Sequence, residues 1–224
     1  MKYTLKLASY FGIPVRIHGT FPLVLVAFGV EGWLQDGIRG ASWGILIVLV
    51  VFACVVLHEL GHSLQARRFG VRVRDIVLLP IGGMARAERI PENPWQEIAI
   101  AISGPLVNFL LAGIIVAVIW VRGQPLEFDD GFLTNLLLIN LVLGTFNLVP
   151  AFPMDGGRIL RGLLATKVSY LTATRFAKNV GQLIAIVFAI LGFMYTNLVM
   201  LPLIAVAIFY GAMAEEKMIR ARHG

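Results

Sequence analysis

Residues 43–62 read Trp43-Gly-Ile-Leu-Ile-Val-Leu-Val-Val-Phe-Ala-Cys-Val-Val-Leu-His58-Glu-Leu-Gly-His62. The part before His58 is almost wholly apolar, and such a run predicts a helix that spans a membrane. Residues four apart lie on the same face of a helix, so His58 and His62 present two imidazole rings to one point. This HExxH spacing is typical of zinc sites in which the glutamate, here Glu59, acts as a general base.

An HExxH sequence also arises by chance, as two histidines with ordinary hydrogen bonds beside a surface glutamate. Within a membrane helix that alternative is unfavourable, because a charged carboxylate near the bilayer centre costs roughly 2.5 kcal/mol or more unless it faces a polar cavity or a partner. We therefore interpret His58, Glu59 and His62 as parts of one metal site inside a membrane span.

Composition supports the membrane setting. Hydrophobic residues make up 58% of the chain and charged residues only 14%, a balance far from that of soluble domains. About six apolar stretches could cross all or most of the roughly 30 Å hydrocarbon core. They cover residues 20–33, 43–67, 98–121, 132–150, 180–196 and 198–214. We predict an all-α polytopic membrane protein that forms a single domain over residues 1–224.

Basic residues indicate the orientation. All of the 19 lysines and arginines except Arg39 and Arg122 fall in termini or loops on one side of the predicted spans. The opposite loops also contain Asp36, Glu127, Asp129 and Asp130. By the positive-inside rule, both termini and the metal site lie toward the cytoplasm. The net charge of +6 then reflects topology, and no soluble basic face indicates nucleic-acid binding.

A catalytic zinc ion held by two histidines and a water needs a further protein ligand. Asp155 is the best candidate, because it follows a long apolar span within Asn147-Leu-Val-Pro-Ala-Phe-Pro-Met-Asp-Gly-Gly-Arg158, whose prolines and glycines interrupt a regular helix. Broken helices in membrane proteins usually line a polar site. Alternatively, Asp155 caps a helix that begins near Arg158. Counting 1.5 Å per residue from the span entries places His58 and Asp155 at a similar depth, about 22 Å, which favours the ligand.

Cys54 precedes His58 by one turn on the same face, so its thiolate is an alternative metal ligand. Small buried cysteines more often pack between membrane helices, and we interpret Cys54 as structural. We interpret Ser103-Gly-Pro-Leu-Val-Asn108 in the third span in the same way, since small residues on membrane helices usually serve close helix contact.

The motifs occur together with Gly12-Ile-Pro-Val-Arg-Ile-His18 and Pro80-Ile-Gly-Gly-Met-Ala85. In this combination and order, the chain closely resembles the site-2 protease family of intramembrane zinc metalloproteases. The resemblance implies one Zn²⁺ ion per chain held by His58, His62 and Asp155, with Glu59 as the base and Asn147 as a polar group near the metal. For Asn147, the residues leave open a hydrogen bond to the developing oxyanion or one to the kinked backbone.

The resemblance also implies that the partners are the lipid bilayer and a single-pass membrane protein, which is cut within or near its transmembrane segment. We expect a multi-pass protein of a prokaryotic cell membrane, and no pattern points to a particular oligomeric state. Residues 215–224 are expected to form a cytoplasmic tail, which in some members of this family leads to a regulatory domain.

A small membrane-associated β element is expected between the second and third spans. Residues 71–79 are partly alternating and rich in β-branched side chains, and Gly82-Gly83 favours a tight turn. The element is either a simple hairpin between two spans or a strand edge that holds an unwound substrate as an added strand.

Two other functions use similar residues. A zinc protease facing the cytosol would need a glutamate ligand on a later helix, and no downstream glutamate lies inside a later predicted span at the depth of His58. A membrane zinc-binding scaffold or transporter would bind the metal without cleaving peptides, and the internal repeats that favour a transporter are not seen. The sequence therefore predicts an intramembrane zinc endopeptidase.

Overall fold

The computed structural model describes residues 4–80, 82–88, 91–123, 131–195 and 200–223. The elements are β1 (Thr4–Tyr10), β2 (Ile13–His18), α1 (Phe21–Arg68), β3 (Val73–Leu79), β4 (Gly82–Ala87), α2 (Pro94–Val121), α3 (Phe132–Asn147), α4 (Asp155–Ala165), α5 (Tyr170–Met194) and α6 (Met200–His223). The chain consists of two compact units. The first comprises Met1–Ile90 and Ser103–Gly144, and the second Pro91–Ile102 and Thr145–Gly224.

The first unit contains a four-stranded sheet in the order β1-β2-β3-β4. β1 and β2 form an antiparallel hairpin, as do β3 and β4, whereas β2 and β3 are parallel. Parallel neighbours require a long crossover connection, which α1 provides. The inner strands bury Ile13, Val15, Ile76 and Val77, and these β-branched side chains suit a covered sheet surface.

The chain is mostly helical with a small sheet, which confirms the predicted fold class in its coarser form. Strands β3 and β4 lie between α1 and α2, with Gly82 and Gly83 in β4 instead of the expected turn, and the membrane association of this element stays a prediction. Strands β1 and β2 precede the first helix and were not predicted. Strand β2 is stabilised by pairing with β3, which follows α1 in the sequence; Val15, for example, pairs with Ile76. Local periodicity carries no signal of such a distant partner, which is why the sequence interpretation missed it.

Helix α1 contains a helical hairpin. Asp36 and Gly37 leave helical geometry, and Gly37 has a φ of 54°, which glycine adopts readily. The chain then doubles back so closely that a Cβ atom on Gly32 would lie 2.1 Å from the carbonyl oxygen of Gly40. The first two predicted apolar stretches are therefore antiparallel neighbours, and small residues allow their close contact.

Among the residues that the structure describes, three helices are long and apolar enough to cross a membrane, namely α1, α2 and α5. Helix α3 is apolar but shorter. The prediction of about six spans is thus supported in its coarser form, as a helical protein with several apolar spans. Some residues named in the sequence analysis lie outside the described residues. They are the loop residues Glu127, Asp129 and Asp130, the junction at Thr196 and Leu198, and Gly224.

The second unit packs α4 and α6 along α5. Its core includes Ala151, Met154, Ala185, Ala205 and Ile208. The small side chains among these residues allow the helix axes to approach one another. This packing holds the segment before α4 against α5 and α6, and therefore restrains the start of α4.

A fully buried arginine, Arg161, connects α4 to the other helices of this unit. Its Nε donates to Glu97 in α2 at 2.8 Å, and its Nη1 donates to Glu215 in α6 at 2.7 Å. The guanidinium also lies over the rings of Phe152 and Tyr170, 4.9 Å from each centroid. Hydrogen bonds and stacking together satisfy a buried charge that would otherwise be costly.

The expected tail at residues 215–224 is helical to His223 as the last turns of α6. It begins with Glu215, which contacts Arg161, and Glu216 forms an ion pair with Lys178 at 2.9 Å. Its assignment to the cytoplasm and the assignment of residues 1–224 to one domain stay predictions.

Candidate metal centre

The two histidines of the HExxH motif lie on successive turns of α1 and are both buried. Their Nε2 atoms are 3.0 Å apart, and the two rings meet nearly edge to face at 84°. Zinc binds imidazole nitrogens at about 2.0–2.1 Å, so two nitrogens at this separation can contact one ion. The helical spacing thus produces the convergence that the sequence predicts.

The other nitrogen of His58 is held by a residue on α2. His58 Nδ1 lies 2.6 Å from Oδ1 of Asn108, whose side chain is fully buried. A metal-binding histidine usually donates its second ring N–H to such an acceptor, which orients the ring and raises its basicity. Asn108 therefore supports a ligand of the candidate centre, whereas the sequence interpretation assigned it to helix packing. The signal available in the sequence was an asparagine within an apolar span, four residues after Gly104 and therefore on the same helix face.

Gly104 on α2 leaves room for the two imidazoles. A Cβ atom at this position would lie 2.3 Å from Nε2 of His62 and 2.7 Å from Nε2 of His58. No side chain other than hydrogen fits there without displacing a ring. The absence of a side chain therefore creates the space in which the two nitrogens converge.

Asp155 is buried and lies in the first turn of α4. The chain before it turns back sharply, so that a Cβ on Gly156 would lie 2.2 Å from the carbonyl oxygens of Leu148 and Val149. This close approach requires glycine at position 156, and α4 begins at Asp155. The alternative helix start near Arg158 is three residues too late.

His58, His62 and Asp155 each offer one ligand atom, and these atoms lie within 4.8 Å of one another. The donor set of two imidazoles and one carboxylate fits a catalytic zinc ion, which takes three protein ligands and keeps a fourth position for water. The space next to Gly104 fits the same interpretation. The three residues can therefore hold one metal ion.

Glu59 is half-buried, and its Oε2 accepts a hydrogen bond of 3.1 Å from the backbone N–H of Ala85 in β4. Strand β4 approaches α1 closely because Gly83 has no side chain. A Cβ on Gly83 would lie 2.9 Å from Cγ of Glu59 and 2.8 Å from Cγ1 of Val55. The predicted base is thus next to a strand of the sheet.

Two further predicted residues have defined positions. Asn147 is the last residue of α3 and is half-buried, so its position is compatible with either role considered for it. Cys54 is buried one turn before His58, and its Sγ lies 3.4 Å from Nδ2 of Asn140. Among the residues described, Cys54 does not join the group of candidate metal ligands.

Known proteins are similar to this chain in both sequence and fold. A zinc metalloprotease from Methanocaldococcus jannaschii is 40% identical over 224 residues, which is 98% of this chain and 62% of the relative. The stage IV sporulation protein FB of Bacillus subtilis is 27% identical over 164 residues, covering 73% of this chain and 52% of that protein. The chain thus spans less than two thirds of the length of these relatives.

A solved structure of a site-2 protease from Methanocaldococcus jannaschii has a TM-score of 0.71 to this chain at 38% identity, and the match covers 96% of this chain and 95% of the other. The profile of peptidase family M50 matches residues 46–129 and 129–192, which include the HExxH motif and Asp155. The long match at 40% identity, the shared fold and the family profile agree with the geometry of the site, and the chain belongs to peptidase family M50.

Proposed function

We propose that this protein is an intramembrane zinc endopeptidase that hydrolyses peptide bonds within or near transmembrane segments of membrane proteins. The observation that carries the proposal is the convergence of His58, His62 and Asp155 within 4.8 Å, with Glu59 adjacent in the chain. All three candidate ligands are buried in a protein whose long helices are apolar. Such ionisable groups are costly in a membrane unless they serve a site.

His58, His62 and Asp155 are the proposed ligands of one zinc ion. When bound, zinc supplies Lewis acidity, which polarises a peptide carbonyl and lowers the pKa of a water molecule. Glu59 is the proposed general base, which accepts a proton from the attacking water and returns it to the leaving amine. The hydrogen bond from Ala85 holds one carboxylate oxygen of Glu59, leaving the other to exchange the proton.

The substrate backbone must be extended before it can be cut, and β4 offers a surface that can hold it. Within the described ranges, β4 is one of the two edge strands of the sheet and pairs only with β3. An extended peptide can add to such an edge through main-chain hydrogen bonds. The contact between Ala85 and Glu59 supports a substrate position on β4 beside the base. Asn147 is the proposed donor to the developing oxyanion.

The concentration of lysines and arginines in one set of loops supports a cytoplasmic location for both termini and the site. We propose that the protein is a multi-pass protein of a prokaryotic cell membrane and that its substrates are single-pass membrane proteins. Residues 215–224 would then lie on the cytoplasmic side.

The test incubates the detergent-purified chain with a panel of single-pass membrane proteins and locates each cut by mass spectrometry. Parallel samples contain a zinc chelator, or the chelator followed by excess Zn²⁺. We expect cuts within or beside the apolar segment that disappear with the chelator and return with zinc. Cuts confined to soluble flanks would instead indicate a protease that acts outside the membrane. A zinc-loaded chain that cuts no member of the panel would favour the zinc-binding scaffold or transporter.

A further inference from the structure

We infer that Asn108 and Asn140 are positioning residues that determine which nitrogen of His58 carries the proton, so that Nε2 stays open for a metal ion. The inference rests on the proposed function, because it assigns a role toward the metal that function requires. Asn140 lies on α3 and is fully buried, as is Asn108 on α2.

A chain of hydrogen bonds leads from a backbone carbonyl to His58 and fixes which group donates at each step. Nδ2 of Asn140 donates to the carbonyl oxygen of Leu136 at 2.9 Å. A carbonyl can only accept, so the nitrogen of the Asn140 amide must face it. The same nitrogen has a second hydrogen, which points to Sγ of Cys54 at 3.4 Å. Oδ1 of Asn140 is thereby directed toward Asn108.

The next two hydrogen bonds extend this chain to His58. Oδ1 of Asn140 accepts from Nδ2 of Asn108 at 3.0 Å, so Oδ1 of Asn108 faces Nδ1 of His58 at 2.6 Å. An amide oxygen has no proton to donate, and His58 must therefore carry its proton on Nδ1. In neutral imidazole the other nitrogen, Nε2, then carries no proton, and its lone pair can bind a metal.

Turning either amide around would undo this order. A reversed Asn140 would place its oxygen against the Leu136 carbonyl, where that oxygen has no donor. A reversed Asn108 would offer an N–H to Nδ1 of His58, and the proton would move to Nε2 and block the metal. Buried polar groups without partners are costly, so the Leu136 carbonyl acts through two amides on a ligand that it does not touch.

The first measurement is the protonation of His58 in the metal-free chain, labelled with ¹⁵N-histidine and studied by NMR. The chain has only four histidines, and a His58→Gln sample assigns the relevant ring. We expect the proton of His58 on Nδ1. Finding it on Nε2 would overturn the inference without any substitution in the asparagines.

Asn140→Leu tests the role of the second amide. With leucine at position 140, Nδ2 of Asn108 loses its acceptor, and a buried N–H without a partner is less tolerated than a carbonyl. The Asn108 amide should then reverse and move the His58 proton to Nε2. We expect Co²⁺ affinity to fall roughly tenfold, at the lower end of the effects of losing a residue that supports a metal ligand. The control is Asn135→Leu, since Asn135 on the same helix makes the same bond to a backbone carbonyl, that of Gly131.

Asn108→Asp separates positioning from packing. Both oxygens of aspartate are acceptors, so His58 keeps its proton on Nδ1 whichever way the side chain turns. In the Asn108→Asp background, Asn140→Leu should cost no further Co²⁺ affinity, because it removes an oxygen that faces the new carboxylate. Asn108→Leu, which has no acceptor, should lose roughly 10–100-fold. If the double variant lost as much Co²⁺ affinity as the two single variants together, the asparagines would act through packing alone, and the inference would be overturned.

The proposed function and this inference fail in different ways. A chain that binds Co²⁺ with the expected variant pattern but cleaves no substrate would refute the function and retain the inference. A chain that cleaves substrate while Asn140→Leu leaves both Co²⁺ affinity and the His58 proton unchanged would refute the inference alone. A wild-type chain that binds no Co²⁺ would refute both.

Discussion

The backbone N–H of Ala85 donates a 3.1 Å hydrogen bond to the carboxylate of Glu59, which joins the edge strand β4 to the helix of the HExxH motif. The base proposed for peptide hydrolysis is therefore held by the strand proposed to receive the peptide. A substrate strand added to β4 would therefore lie beside Glu59.

Glu59→Gln should retain the metal and lose cleavage. Glutamine keeps an oxygen that can accept the bond from Ala85, and Glu59 is not among the three candidate ligands, so folding and Zn²⁺ content should be unchanged. Loss of the general base should lower the cleavage rate roughly 10²–10⁴-fold. Metal content by mass spectrometry and cleavage in the same preparation provide the check.

Glu88→Gln is the matched control, since Glu88 is an exposed carboxylate that pairs with Arg74. It should cleave at the wild-type rate. Full activity of a zinc-loaded Glu59→Gln protein would refute the assignment of Glu59 as the base.

Gly104→Ala should weaken metal binding even though glycine provides no ligand. The new Cβ would lie 2.3 Å from Nε2 of His62, so the ring must turn away from His58. We expect at least a tenfold loss of Co²⁺ affinity, comparable to the loss of a residue that supports a ligand. Gly113→Ala is the control on the same helix, because a Cβ at Gly113 would have nothing within 4 Å. Equal Co²⁺ affinities of the two variants would contradict this account of the site.

Residues close in sequence could be predicted well, whereas hydrogen-bond partners on other helices could not. The convergence of His58 and His62 follows from helix geometry, since both side chains lie on one face. Asp155 was identified by its chemistry and by the broken helix around it. Asn108 was assigned to packing, because a buried amide beside small residues looks the same in sequence whether it serves helix contact or holds a histidine.

The sheet shows the same limit at the level of the fold. The β-branched pattern of residues 71–79 predicted β3, whereas Gly82 and Gly83, which were expected to form a tight turn, are the first residues of β4. Strands β1 and β2 lack a long apolar pattern, and β2 meets its inner neighbour only after α1 has crossed between them. Part of the pairing energy that makes β2 a strand is therefore non-local.

Asp75 should make the stability of the sheet depend on acid pH. Hydrogen bonding from Arg86 holds the pKa of the Asp75 carboxyl below its ordinary value, and Arg16 lies 3.0 Å away on the other side. A depressed carboxyl pKa stabilises the fold fully above the unfolded value, about 4, and this contribution is lost as the pH falls through the lower folded value. Asp75→Asn should be less stable than wild type at pH 7, and the difference should narrow toward pH 3.

Thermal unfolding in detergent across this pH range measures the difference. Glu88→Gln, at a largely exposed ion pair, should change the free energy of unfolding by no more than about 1 kcal/mol. A stability difference between wild type and Asp75→Asn that stays constant from pH 7 to pH 3 would show that the charge of Asp75 is not responsible.

Arg161→Met should destabilise the second unit strongly and reduce metal binding with it. Arg161 is fully buried between Glu97 and Glu215, and its removal leaves the carboxylate of Glu97 buried without its partner. Breaking a buried ion pair in this way costs about 3–5 kcal/mol. Because α4 begins at Asp155, loosening this helix should also lower Co²⁺ affinity. Chemical unfolding in mixed micelles and Co²⁺ titration measure the two effects.

Removing both charges should restore much of the stability. A buried ion pair replaced by apolar residues is often no less stable than the pair itself, so Arg161→Met with Glu97→Leu should recover more than half of the loss. Arg175→Met is the surface control, because Arg175 is about half exposed where it pairs with Glu216, and it should cost no more than about 1 kcal/mol. If Arg161→Met were no more harmful than Arg175→Met, the buried cluster would not be what fixes α4. The position of Asp155 would then depend on the packing of Ala151 and Met154 and on the close approach of Gly156.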